Sequence, residues 1–259
     1  MRRLIAEEPV SRPAVWSPRV AWFALAVTLI AVVTLRFQLV EAGPGLASLG
    51  AGLALALLAI ALALLAFARI WSEGRRGLGR ALKGVFLALL VLGWPGFYAA
   101  RALTLPPLND VSTDLEDPPA FARSRTALAA RGGRAPAEVG PEARAGQAKA
   151  YPDLSPLILE IPADQAFELA RRAAEARGWQ VVDAVRPGGR MGVGHIEAVD
   201  RTFLLRLADD VTVRVRPRAD GARIDVRSAS RIGTHDLGRN AQRIRRYLEE
   251  VSTLAEDEE

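Results

Sequence analysis

The residues best suited to chemistry in this 259-residue chain lie in one stretch, 227–240, RSASRIGTHDLGRN. It gathers Arg227, Ser228, Ser230, Arg231, Asp236, Asn240 and His235, one of only two histidines. A nucleophilic reading takes Ser228 or Ser230 as the attacking group, His235 as its base and Asp236 as the residue orienting that base. Adjacent His and Asp at a helix start point in different directions, however, so Asp236 is poorly placed to hold its neighbour's ring. No G-x-S-x-G elbow occurs anywhere in the chain. The plainer reading is a strand end, a turn at Gly233 and a helix capped by Asp236, whose carboxylate can accept the first free backbone amides.

Other chemistry is thinly supplied. The absence of cysteine excludes disulfides, thiolate zinc sites and cysteine nucleophiles. His195 and His235 have no H-x-x-x-H or carboxylate cluster beside them, so neither a metal nor a cofactor is expected. The glycine-rich GGRMGVG at 188–194 lacks the Lys-Ser ending and the following helix of a phosphate loop, and reads as a hairpin loop. A net charge of +5 could suggest nucleic acid, but the basic residues flank apolar runs or alternate with acids. Membrane flanking is the better account, and nucleic acid is not an expected partner.

The apolar residues are unevenly placed. Run 46–68 has 23 residues without a charge, enough at 1.5 Å per residue to cross a hydrocarbon core of about 30 Å. Run 84–100 holds 17 between Lys83 and Arg101, with a proline, Pro95, that a membrane helix tolerates. Run 20–35 is shorter, with Trp16 and Trp22 able to sit at the interface and Arg19 and Arg36 able to snorkel. Arg2 and Arg3 ahead of an apolar stretch also fit a cleaved signal peptide, but the run starts late and no small-x-small site follows cleanly. Gly45, Ser48 and Gly52 offer a small-residue stripe for close helix packing. Arg2, Arg3, Arg12 and Arg19 precede the first run; Arg69, Arg75, Arg76, Arg80 and Lys83 separate the second from the third; Arg36 alone lies between the first two. This bias predicts a bacterial inner-membrane protein with a cytoplasmic N-terminus and a periplasmic C-terminal domain.

The remaining organisation follows from composition. Residues 1–19 form the tail, 20–103 the three-span region, and 104–150 a proline-rich acidic segment followed by an Ala/Gly/Arg/Pro linker, with a short helix conceivable around 124–131. Residues 151–255 carry the patterns of a compact domain. Strands are expected at 156–162, 179–185, 194–198, 201–207, 211–216 and 222–230, with turns at Asp209–Asp210 and Asp220–Gly221. Helices are expected at 163–178, with Ala166, Phe167, Ala170 and Ala174 on one face, and at 237–254, with Leu237, Ala241, Ile244, Leu248 and Val251 in a stripe. The predicted fold is three transmembrane helices plus an α+β domain, an antiparallel β-sheet with two helices on one face. On its uncovered face Arg206, Arg214, Arg216, Arg223 and Arg227 would project together, with Asp225 interleaved. That face is either a solvated, ion-paired surface or a basic platform for an anionic envelope ligand, such as a lipid headgroup or polymer.

At these residues the chain resembles a known family. GHIEAVDRTFLLRLADDVTVRVRP and RIDVRSASRIGTHDLGRNAQRIRRYL are similar to the family known as domain of unknown function 1499, and NDVSTDLEDPPAF resembles its opening segment. The resemblance covers roughly 108–251 and implies no established activity, substrate or cofactor. It implies a signature made of Asp110, Ser112, Thr113 and Asp114, then Arg227, Ser228, Ser230, Arg231, Gly233, Asp236, Gly238, Asn240 and Arg243. If the two stretches meet, the acidic segment could pair with Arg227, Arg231 or Arg243, as a structural clasp or as the rim of a binding site. The expected partners are the lipid bilayer and an anionic envelope ligand or a membrane protein. The function expected is binding or scaffolding of an envelope component; the alternative is an envelope hydrolase or transferase working through Asp110, Asp114, Ser228 and Asp236.

Overall fold

The computed structural model describes residues 8–188 and 192–258; Arg2, Arg3 and the centre of the glycine loop, residues 189–191, lie outside these. The chain divides into two compact units, a helical one up to Ala100 that also takes in Leu204–Arg206, and an α+β one of Arg101–Phe203 and Leu207–Glu259.

The helical unit is built from α1 (Arg12–Arg36), α2 (Ala42–Glu73) and α3 (Leu78–Ala102), all three long and apolar enough to cross a membrane. Each outruns the charge-free stretch that signals it. Helix α1 starts well before Val20, with a proline in its first turn, where the missing amide costs nothing. Small residues set the packing. Ala21 and Ala24 of α1 meet Ala56 and Ala59 of α2 and Ala88 of α3 in one buried seam. A Cβ on Gly52 would collide with Thr28, one on Gly45 with Leu35 and one on Gly84 with Ser17. Of the expected stripe, Gly45 and Gly52 therefore do pack closely. Ser48 does not: it is exposed, and its hydroxyl turns back to the Pro44 carbonyl at 3.0 Å. Ser17 donates to the Ala59 carbonyl at 2.9 Å, binding α1 to α2.

The α+β unit contains β1 (Asp110–Ser112), α4 (Arg125–Ala130), α5 (Pro141–Ala150), β2 (Leu157–Leu159) and α6 (Ala163–Ala176). It continues with β3 (Gln180–Val185), β4 (Gly194–Arg201), β5 (Ala208–Arg218), β6 (Gly221–Ser230) and α7 (Arg239–Glu256). The sheet is antiparallel in the order β1-β6-β5-β4-β3, with β2 also pairing β6. Alternation dictates its faces. Val211, Val213 and Val215 of β5, with Ile224 and Val226 of β6 and Ile196 of β4, are fully buried beneath α6 and α7. Phe167 and Leu169 of α6 and Ile244, Tyr247 and Val251 of α7 complete this core. Tyr247 stacks on Trp179 at 4.7 Å and donates to the Ala170 carbonyl at 2.8 Å. Gly178, at φ 72°, takes the left-handed position after α6 that a side chain resists.

Four expectations are corrected. Residues 201–207 are not a strand: β4 runs through Arg201, a loop follows, and Ala208 pairs with Arg201. Thr202 closes this loop, its amide donating to the Leu207 carbonyl at 2.9 Å and its hydroxyl accepting the Leu207 amide at 3.0 Å. Asp209 and Asp210 lie inside β5 rather than in a turn, because each has an arginine partner that lets a carboxylate stay buried there. Residues 122–150 are not a loose linker. They supply α4 and α5: Ala122 and Arg131 reach Glu197 on the sheet face opposite α6 and α7, while α5 sets Ala143 and Ala150 against the apolar core and closes the edge of β1 with Gln147. The closing helix starts at Arg239, two residues later than its apolar stripe implies, since Leu237 adopts φ 58° in the turn before it.

Candidate functional site

On the polar sheet face, β5 and β6 align Thr212, Arg214 and Arg216 against Arg227, Asp225 and Arg223. Arg206 is not among them, because it lies in the loop between β4 and β5 at φ 54°. Nor is the face open. Asp225, wholly buried, pairs with Arg214 at 3.2 Å, Arg216 at 2.9 Å and Arg223 at 2.8 Å. Asp114 descends from the acidic segment onto the same three arginines, at 3.4, 3.1 and 2.7 Å. Asp117 adds contacts to Arg214 and Arg216. Burial pushes the Asp114 carboxyl up, but the Asp117 amide and the Arg223 guanidinium outweigh it, and the group titrates below the usual aspartate range. The platform expected for an anionic ligand is thus filled by the protein's own carboxylates.

The acidic segment is fixed by more than charge. Strand β1 sets Asp110 opposite Ala229 and Ser112 opposite Arg227. Thr113 extends the ladder, its amide donating to the Val226 carbonyl and its hydroxyl accepting the Val226 amide, both at 2.9 Å. The Ser112 amide donates to the buried Gln147 of α5 at 3.0 Å, and Ser112 Oγ accepts the Asp114 amide at 3.2 Å. Arg227 grips Asp110 through Nε at 2.9 Å and Nη2 at 2.8 Å, donates to the Ala137 and Pro119 carbonyls, and lies 4.9 Å from the Phe121 ring centroid. Burial raises the Asp110 pKa even against this arginine.

Next to it, Arg131 of the supposed linker makes a buried pair with Glu197 at 2.7 Å. The other carboxylate oxygen of Glu197 takes the Ala122 amide and faces His195 Nε2 at 2.6 Å. Neither Arg131 nor Glu197 stands out in the sequence. An acid among apolar residues in GHIEAVD was the available signal, and its partner lies 66 residues away.

Apart from Arg227 and Arg231, the signature half at 227–240 works on the other face. Asn240, fully buried, accepts from Ser228 Oγ at 2.9 Å and donates to the Asn109 carbonyl at 2.9 Å and to Ser230 Oγ at 3.1 Å. Arg243 donates to Ser228 Oγ at 3.0 Å, to Asp200 at 2.6 Å and to Asp209. Desolvation works against the Arg243 charge, but these two carboxylates more than restore it, so its pKa is raised. Arg231 goes to Asp210 at 2.7 Å. Asp236 accepts the Gly238 and Asn240 amides, each at 2.8 Å, so it does cap the closing helix from two residues ahead of Gly238, whose φ is 77°. His235 Nδ1 accepts the Leu237 amide at 3.0 Å, which leaves Nε2 to donate toward the Ala102 and Leu105 carbonyls. Ser228, His235 and Asp236 are thus each committed to a different partner. Among the described residues no three His, Asp or Glu side chains are grouped so as to hold a metal ion.

Between the two networks lies a cleft of about 320 Å³, walled by Leu108–Asp110, residues 136–140 with Ala143, and Ala229–Ser230. It joins apolar walls, Leu108, Val139 and Ala143, to Asp110, Asn109 and Ser230. No curated protein and no solved structure was found to match the chain. A family model described as "Protein of unknown function (DUF1499)" matches residues 110–251, from the carboxylate that holds Arg227 to the last buried turn of α7. That match takes in more than half of the chain and both interlocked stretches, and the chain belongs to the DUF1499 family.

Proposed function

We propose that the chain is a bacterial inner-membrane protein whose α+β domain stands in the periplasm and binds or scaffolds an envelope component. The observation that carries the binding-or-scaffold half is the saturation of the signature. Asp110, Asp114, Ser228 and Asp236, the four groups an envelope hydrolase or transferase would need, are engaged with Arg227, with three arginines, with Asn240 and with backbone amides. A nucleophile and its base have to converge on one point; these four brace four separate junctions. The ligand, an envelope component or a membrane protein partner, is then taken up by a surface other than the arginine face. The cleft beside Asn109 and Ser230 supplies polar groups next to apolar walls, the usual make-up of a binding site.

The orientation rests on the loop charges, and one contact supports the two-span arrangement that argument assumes. Val10 pairs with Arg76 as a short bridge, Ser11 donating to the Arg76 carbonyl at 3.0 Å and Arg76 to the Pro9 carbonyl at 3.3 Å. The tail before α1 and the basic loop after α2 therefore share a side, as two spans between them require. Alkaline phosphatase fused after the C-terminus should be active and green fluorescent protein dark. The reverse pattern overturns the orientation.

A further inference from the structure

Strand β1 is an edge strand that pairs with β6 on one side only. In an antiparallel ladder successive residues turn their amide and carbonyl to alternate sides. The Asn109 carbonyl takes the Ser230 amide at 2.7 Å, and the Thr113 amide donates to the Val226 carbonyl at 2.9 Å. Residues 109, 111 and 113 therefore face β6, while Asp110 and Ser112 face the free edge. At Ser112 that edge is closed. Gln147 of α5 accepts the Ser112 amide at 3.0 Å and donates to its carbonyl at 2.5 Å, as the backbone of a further strand would. At Asp110 it is open: neither the amide nor the carbonyl has a partner among the described residues.

The open position adjoins the cleft. Ala143 stands one turn ahead of Gln147 on α5, and a turn of about 5.4 Å nearly matches the roughly 6.6 Å from Ser112 back to Asp110 along a strand. The start of α5 thus comes level with Asp110, and both line the same cavity of about 320 Å³. Leu108, Val139 and Ala143 give it apolar walls, and the charged residues lining it, Asp110 and Glu138, are both acidic. Arg227 answers the Asp110 carboxylate, whereas Glu138 is exposed and has no ion-pair partner among the described residues. We propose that the cleft binds an extended, positively charged peptide segment, which adds to the free edge of β1 through the amide and carbonyl of Asp110. A strand added to a sheet edge gains affinity from main-chain hydrogen bonds and selectivity from pockets for alternate side chains. Here a guest residue opposite Asp110 exchanges both bonds with it, an apolar neighbour rests on Leu108 and Val139, and a cation answers Glu138. Gln147 ends the ladder at Ser112, so the pairing is confined to Asp110 and the bound segment is short. This rests on the binding-site reading of the cleft.

The full chain, isotope-labelled and in detergent micelles, would be titrated with the end-blocked pentapeptide Ala-Leu-Lys-Leu-Ala and followed by amide resonances. Saturable binding should move the Asp110 amide proton downfield and slow its exchange with water. The Ser112 amide, already held by Gln147, should keep its rate. A counterpart N-methylated at every residue has no donor for the Asp110 carbonyl and should not bind. Glu138→Lys, a change at an exposed position, should weaken the lysine peptide and spare one with glutamine in its place. Val139→Trp should block both. Binding that leaves the Asp110 amide unmoved, or that survives N-methylation, overturns the inference. So does a Glu138→Lys chain that binds the lysine peptide as tightly as the unsubstituted one. Short-chain phosphatidylglycerol and a chitin tetrasaccharide are titrated alongside. If either moves the Asp110, Val139 and Ala143 signals and the peptide does not, the ligand is not a peptide and the binding-site reading stands. If none of the three probes moves them, that reading of the cleft fails, and this inference with it.

Discussion

Arg227 and Asp110 meet in a two-pronged ion pair across 117 residues of chain, at 2.9 and 2.8 Å, with the guanidinium 5% exposed. The segment that leaves the third helix is thereby stitched to the last strand of the sheet. Removing one member strands the other. Asp110→Ala leaves Arg227 with carbonyls and the Phe121 ring but no anion, and a broken buried pair typically costs about 3–5 kcal/mol. Arg227→Ala should cost a comparable amount, and the double substitution less than the sum. Unfolding of the full chain in detergent should give a coupling of about 0.5–3 kcal/mol. Additive losses would show that the pair is not a unit.

Asp114 should couple elsewhere. Its partners are Arg214, Arg216 and Arg223, not the Arg227, Arg231 and Arg243 that the sequence suggests, because those three are taken by Asp110, Asp210 and the pair Asp200 and Asp209. A cycle of Asp114→Ala with Arg223→Ala should be non-additive, and one with Arg231→Ala additive. The folded-state pKa of Asp114 lies below the ordinary 3.8, so the carboxylate stabilises the fold fully above that value. The contribution is lost as the pH falls through the lower folded value. Asp114→Asn should therefore lower the melting midpoint at neutral pH, by an amount that shrinks below pH 3.8. A deficit that stays constant into acid would remove the ionic role.

What could be read in advance follows from the kind of force at work. The β5 and β6 registers and the α6 and α7 faces are written in apolar spacing, because one side of each is buried in hydrocarbon. The cover of the polar face is not. Arg131, just after α4, acts there on Glu197, and Gln147 of α5 closes the β1 edge at Ser112, single polar contacts that leave no periodic trace. Asp209 and Asp210 mislead for the same reason. Adjacent acids imitate a turn until the arginines that permit their burial are known, and those stand 34 and 21 residues away. The signature stretch was half legible: its cap at Asp236 could be read locally, whereas the hold of Asn240 on Asn109 spans 131 residues.

Asp236 accepts two amides at the start of α7, so Asp236→Ala should destabilise the chain by about 1 kcal/mol. Asp236→Asn keeps one acceptor oxygen. Because burial raises the Asp236 pKa, the neutral amide also avoids confining a charge, and its melting midpoint should fall less than that of the alanine variant. Equal losses for both would mean that the charge, not the acceptor, holds the turn.

The helical unit offers a packing test that leaves the α+β domain untouched. A Cβ on Gly84 would collide with the hydroxyl of Ser17 and crowd the Pro18 nitrogen at 3.0 Å, and that wall cannot retreat, because Ser17 is itself tied to the Ala59 carbonyl. Gly93, nine residues along the same helix, has open space where its Cβ would go. Apolar exteriors give no hydrophobic drive between helices in lipid, so close approach of small residues carries the association. Gly84→Leu should therefore push α3 from α1 at a cost of about 1–3 kcal/mol, the usual scale of overpacking. Gly93→Leu should cost little. Resistance of the purified chain to unfolding by denaturing detergent separates the two: the 84 variant should unfold at a lower detergent fraction, the 93 variant where the unsubstituted chain does. If both unfold together, the contact between Gly84 and Ser17 does not hold these helices.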